Sequence, residues 1–150
     1  MIVMALGGRC AEEIFFNRIT TGASDDIKKC TGIAQGLVTQ YGMSEKLGTL
    51  SYSVEEGYQK AFSDKTNRTI DEEVKRVIDE CYEQSKSLLT DKKELVGKLA
   101  EELLKKETLS LPEIVDILGP RPYPLKETVL EYLRELRDRK DDEPEKPKDP

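Results

Sequence analysis

An all-α fold is the class that this sequence predicts, and three observations carry it. Between residues 70 and 89, apolar side chains recur at i, i+4, i+7 and i+8 for about five helical turns, with charges on the opposite face. Two further stretches on either side repeat the same period. Glycine and proline cluster at the junctions between these stretches rather than inside alternating strand patterns.

The elements follow in chain order. Residues 2–16, "IVMALGGRCAEEIFF", place apolar side chains at 2, 3, 6, 10, 14 and 15, close to helical spacing. The Gly7-Gly8 pair costs ~1 kcal/mol per glycine inside a helix, so it marks either close packing by another backbone or a break. It is not a phosphate loop, because no strand precedes it and the Walker spacing is absent. After "NRITTGA", a second helix is expected from about 24 to 41, with Ile27, Cys30, Ile33, Ala34, Leu37 and Val38 as its stripe. Ser24 reads as its N-cap, with Asp25 and Asp26 at the first two helical positions. The stretch "GMSEKLGTLSYSVEEG" reads as a loop with room for one short strand at 49–52.

Ser63 is positioned to cap the long helix whose stripe contains Ile70, Val74, Val77, Ile78, Cys81, Tyr82, Ser85, Leu88 and Leu89. Thr90 or Asp91 then caps a helix carrying Leu95, Val96, Leu99, Leu103 and Leu104, and the short break predicts a long antiparallel helical hairpin. A short third helix has Ser110 as cap, Pro112 in its first turn and Gly119 as its stop. "PRPYP" is an extended spacer, residues 125–138 suit an exposed helix, and "KDDEPEKPKDP" has the composition of a disordered tail. This divides the chain into a helical domain, 1–120, and a charged, proline-rich extension, 121–150.

Composition excludes several functions. The 150 residues are 37% hydrophobic and 36% charged, with a formal net charge of -6 and interleaved signs, which argues against a nucleic-acid footprint. No apolar run approaches the ~20 residues of a membrane-spanning helix. There is no histidine, so the usual general base near neutral pH and the commonest zinc ligand are both absent. Cys10, Cys30 and Cys81 form no C-x-x-C pair and fall within helical patterns, as buried free thiols of a reducing compartment would.

Two acidic clusters could carry chemistry. Asp25 and Asp26 are explained locally as helix-start carboxylates, yet a carboxylate on a well-fixed helix start also suits a metal. "GGRCAEE" offers Arg9, Glu12 and Glu13 for ion pairs on a helix face or for acid–base work. A stand-alone carboxylate enzyme using Asp25, Asp26 and Glu13 is conceivable, but nothing in the spacing brings those groups together.

Taken in order, "ALGGRCAEEIFF", "ITTGASDDIKKCTGIAQGLVTQYGMSEKLGTLSY", "FSDKTNRTIDEEVKRVIDECYEQSKSLLTDKKEL" and "LLKKETLSLPEIVDILGPRP" resemble the later part of the peptidase domain of FtsH-type AAA+ zinc metalloproteases. The resemblance covers roughly residues 3 to 122, and "DILGPRPYP" is similar to the mitochondrial m-AAA branch. It implies a helical peptidase-domain piece of an ATP-dependent zinc metalloendopeptidase working in membrane protein quality control. In the family, an H-E-x-x-H helix supplies two histidine ligands, its glutamate activates zinc-bound water, and a later aspartate is the third ligand.

By the Thr-Gly-Ala-x-(Asp/Asn)-Asp match, Asp26 takes the place of that third ligand, while Asp25 stands where other members often have asparagine. Glu12 and Glu13 match acids that support the site. The expected metal residue is therefore Asp26, with no catalytic residue in these 150 residues. Zinc is the implied cofactor, and ATP with magnesium would act through an ATPase domain that the chain does not contain. The implied partners are the other subunits of a homo- or hetero-hexamer and unfolded polypeptide substrates. The implied location is the matrix-facing side of the mitochondrial inner membrane, or a bacterial-type cytoplasmic membrane, with attachment through upstream segments. On this expectation the chain alone is inactive. The competing expectation is a non-enzymatic helical module, or a degenerate paralogue, that joins protease rings.

Overall fold

The computed structural model describes residues 1–52, 62–120, 122–123, 127, 129–132 and 134. Up to residue 120, the described residues form the helices α1 (Ile2–Ala5), α2 (Gly7–Phe16), α3 (Ser24–Thr39), α4 (Asp64–Asp91), α5 (Lys93–Lys106) and α6 (Leu111–Leu118), with a 3₁₀ turn at Thr21–Ala23 before α3. No strand is formed among the described residues, so the all-α expectation holds. At 49–52 the backbone is irregular rather than extended into a strand, and an isolated bridge pairs Ser44 with Gly48 instead. The spacer, the loop beyond residue 52 and the tail lie wholly or partly outside the described residues. Within the helix expected at 125–138, residues 127, 129–132 and 134 are helical.

The chain divides into two compact units, one from Met1 to Asp91 and one from Lys92 onward. In the first, α4 is the longest element at 28 residues, or about 42 Å, long enough for α1, α2 and α3 all to pack along it. The core contains Ile2 and Leu6 from the amino-terminal segment, Cys10 from α2, and Cys30 and Ala34 from α3. Val74, Val77, Ile78, Cys81, Tyr82 and Leu89 of α4 pack against them, as the apolar stripe predicts. Burying a side chain such as Ile2 or Leu6 contributes about 1.5–3 kcal/mol. All three cysteines are free thiols; Cys10 and Cys30 are buried and Cys81 is half-buried.

Three local expectations change. The helix over 2–16 breaks at Leu6, and the glycine pair opens the second piece; apart from the adjoining residues and the helix's own backbone, no described atom lies within 4 Å of a Cβ added at either glycine. Among the described residues, the break and not close packing is what the pair marks. Ser24 is already helical (φ -59°, ψ -41°) and does not cap α3; Thr20 caps the preceding 3₁₀ turn. The reason is that the turn extends the helical path backward by three residues. Thr90 and Asp91 remain in α4, where the Thr90 hydroxyl donates to Lys86 O at 2.8 Å, and Lys92 is the N-cap of α5 without a side-chain bond.

In the second unit, α5 packs on α6. Ser110 and Glu113 form the reciprocal capping box, Pro112 is buried in the first turn of α6, and Gly119 ends it at φ 82°.

Candidate functional site

The first turn of α3 carries both aspartates, and helix geometry separates them. Asp26 lies one turn before Cys30 and two before Ala34, so its Cβ leaves the helix on the face that enters the core. Asp25 is rotated by about 100° from that face. Accordingly the Asp25 side chain is 81% exposed and that of Asp26 48% exposed. Each has a loose lysine partner on its own helix, Lys28 at 3.7 Å and Lys29 at 3.6 Å, beyond hydrogen-bonding distance. Asp26 thus stands at the rim of the core. Burial pushes the Cys30 thiol upward, and the Asp26 charge one turn away adds to it.

The turn leading into α3 is held by α2. Arg9 Nη1 donates to the Thr20 carbonyl oxygen at 3.2 Å. The Thr20 amide donates to Glu12 Oε2 at 3.2 Å, and the Thr20 hydroxyl donates to Glu12 Oε1. The same hydroxyl oxygen accepts from the Gly22 amide at 3.3 Å, and the Ser24 amide donates to Thr21 O, closing the 3₁₀ turn. The Thr20 hydroxyl and amide hold the Glu12 carboxyl below its usual range, with smaller help from Arg9 and Arg18.

The neighbouring acid points elsewhere. Glu13 Oε1 accepts from Lys86 Nζ at 2.6 Å and Oε2 accepts from the Tyr82 hydroxyl, both on α4. Lys86 and then Tyr82 lower the Glu13 carboxyl, while Glu13 raises both partners. Behind this pair, Cys10 Sγ donates to Tyr82 O at 3.8 Å, a distance ordinary for sulfur. Glu12 therefore serves the turn before Asp26, and Glu13 ties α2 to α4.

A third network, not anticipated from sequence, lies at Glu73 of α4, which is 1% exposed. Its carboxylate accepts from Ser44 Oγ at 2.9 Å and from Arg76 at 3.1–3.3 Å, and pairs with Lys46 at 3.2 Å. The Arg76 guanidinium holds it down to about 2, against the opposing effect of burial and with help from Ser44 and Lys46. This pins the 42–48 loop to α4. Gly42 (φ 61°) completes the loop, because a Cβ there would meet Thr49 Cα at 3.1 Å.

Among the described residues, no three His, Cys, Asp or Glu side chains stand close enough together to hold a metal ion. The three-carboxylate centre of Asp25, Asp26 and Glu13 is not assembled. Asp26 can offer one carboxylate arm and no more. Thr20 escaped the sequence reading, although a threonine two residues before a glycine is a turn signal.

The sequence model of peptidase family M41 matches residues 1–117. A mitochondrial inner membrane m-AAA protease component from Schizosaccharomyces pombe is 44% identical over 149 residues, covering 96% of this chain and 19% of that protein. An ATP-dependent zinc metalloprotease FtsH from Rhodothermus marinus is 44% identical over 128 residues, 81% of this chain and 18% of its own length. A mitochondrial inner membrane m-AAA protease component from Mus musculus is 46% identical over 134 residues, 87% of this chain and 17% of its own. The chain spans about a fifth of the length of these curated relatives. The match runs through the segment that carries Arg9, Glu12, Thr20 and Asp26, and on it the chain belongs to peptidase family M41.

Proposed function

We propose that this chain contributes the later, helical part of the peptidase domain of an ATP-dependent zinc metalloendopeptidase, with Asp26 as its carboxylate zinc ligand. The single observation that carries the reading is the setting of Asp26: a half-exposed carboxylate on the core-edge face of α3, behind a turn held by Arg9 and Glu12. Its partner Lys29 sits at 3.6 Å, loose enough for a cation to displace. The donor set fits zinc in part only. One carboxylate is one of the three protein ligands a catalytic zinc needs, and with no histidine in residues 1–150 the nitrogen donors come from elsewhere.

Zinc bound at such a centre supplies Lewis acidity and a nucleophilic water. What this chain supplies is placement. Asp26 orients one coordination position, Glu12 and Arg9 hold the approach to it, and Glu13 with Lys86 and Tyr82 fixes α2 on α4. The m-AAA relatives are named as components of a protease, which supports reading the working protein as an assembly of protease subunits. We read it as a homo- or hetero-hexamer that takes unfolded polypeptide at the matrix face of the mitochondrial inner membrane. No described helix of this chain is long and apolar enough to cross a membrane.

The test is Asp26→Asn in the protease that contains this chain. Peptide-bond cleavage is expected to be lost while ATP hydrolysis persists, because the amide keeps the shape but surrenders the anionic ligand. Full-rate proteolysis by Asp26→Asn would reduce Asp26 to a helix-start carboxylate.

A further inference from the structure

We infer that Thr20 is the positioning residue that sets where Asp26 stands, through a side-chain clamp between α2 and the turn before α3. This rests on the reading of Asp26 as a ligand and deepens it. Three groups of one residue are engaged by one helix: the Thr20 carbonyl by Arg9, and its amide and hydroxyl by Glu12. The acceptor and the guanidinium donor are both charged, which strengthens bonds of this kind relative to neutral ones. Thr20 then passes the constraint forward. Its hydroxyl oxygen accepts from Gly22, the 3₁₀ turn Thr21–Ala23 closes onto Ser24, and α3 begins without any side-chain cap of its own.

The start of α3 is therefore indexed from α2 by Thr20 and not by its own Ser24. That matters for a ligand more than for a fold. Thr20, Thr21 and Gly22 are exposed, so few apolar contacts hold this segment, whereas the body of α3 is anchored by Cys30, Ala34 and Val38. Loss of the clamp would leave the helix body in place and loosen its first turn, where Asp26 sits. Stability then changes little while the ligand loses its pre-set position.

Two measurements test this. In residues 1–150, Thr20→Val is expected to speed amide exchange at 21–27 by about 10-fold with the middle of α4 unaffected, and Thr20→Ser to restore it. An unchanged rate at 21–27, or an equal rise throughout α4, would overturn the clamp; the second pattern would mean a purely structural loss. In the zinc-loaded protease containing this chain, competition with a chelator should show zinc held ~10-fold more weakly in Thr20→Val and near normally in Thr20→Ser. Weaker zinc in Asp26→Asn with normal zinc in Thr20→Val refutes the positioning role alone. Unaltered zinc in Asp26→Asn refutes the ligand reading, and the exchange experiment still decides whether the clamp exists.

Discussion

Glu73 is the most deeply buried charged residue among those described, and its environment converts a liability into an anchor. An isolated buried carboxylate would be costly, but Arg76, Ser44 and Lys46 satisfy this one from three directions. Because its folded value of about 2 lies below the unfolded carboxyl range of about 4.3, folding favours the ionised form. That stability is present in full above the unfolded value and is lost as the pH falls through the folded one. Glu73→Gln is therefore expected to lower unfolding free energy by about 2 kcal/mol at neutral pH, by loss of charge-assisted bonds. The difference between wild type and variant should shrink as denaturant titrations move from about pH 4.5 toward pH 2. A difference constant across that range would refute the assignment. The position was half legible: Glu73 lies three residues after Ile70 and four before Val77, inside the apolar stripe. Its partner Ser44 is 29 residues away, and no periodicity reaches that far.

At the scale of elements, local signals worked where a helix end was determined by its own residues. The capping box of α6 is one: Ser110 and Glu113 bond each other across three residues, and Gly119 takes the positive φ that stops the helix. Ser110→Ala is expected to cost about 1 kcal/mol, read as faster amide exchange in the first turn of α6 while α4 keeps its protection. Equal protection at 111–114 in the variant would show that packing, not the box, holds that end. Ser63 behaved in the same way, accepting from the Thr66 amide at 3.2 Å. Where another element intervened, the local signal misled. Ser24 is a good capping residue that does not cap, because the contacts of Thr20 with α2 extend the helical path backward. The glycine pair was ambiguous by nature, since a break and a close approach need the same residue.

For the whole molecule, the donor inventory decides what residues 1–150 can do without other subunits or segments. With no histidine and no clustered three-donor group among the described residues, zinc binding by the isolated chain should be weak or absent in calorimetry. Stoichiometric, sub-micromolar binding that survives Asp26→Ala would contradict both the ligand assignment and the partial donor set.

The sequence by itself determined the helical class, the apolar stripes and the family resemblance. These follow from short-range periodicity and ordered motifs, which are written within a few residues. Only the tertiary structure decided that Glu12 serves Thr20 while Glu13 serves α4, that Thr20 caps the turn before α3, and that Glu73 pins the 42–48 loop. Adjacent side chains on a helix leave it about 100° apart, so which partner each one meets depends on how the helices pack.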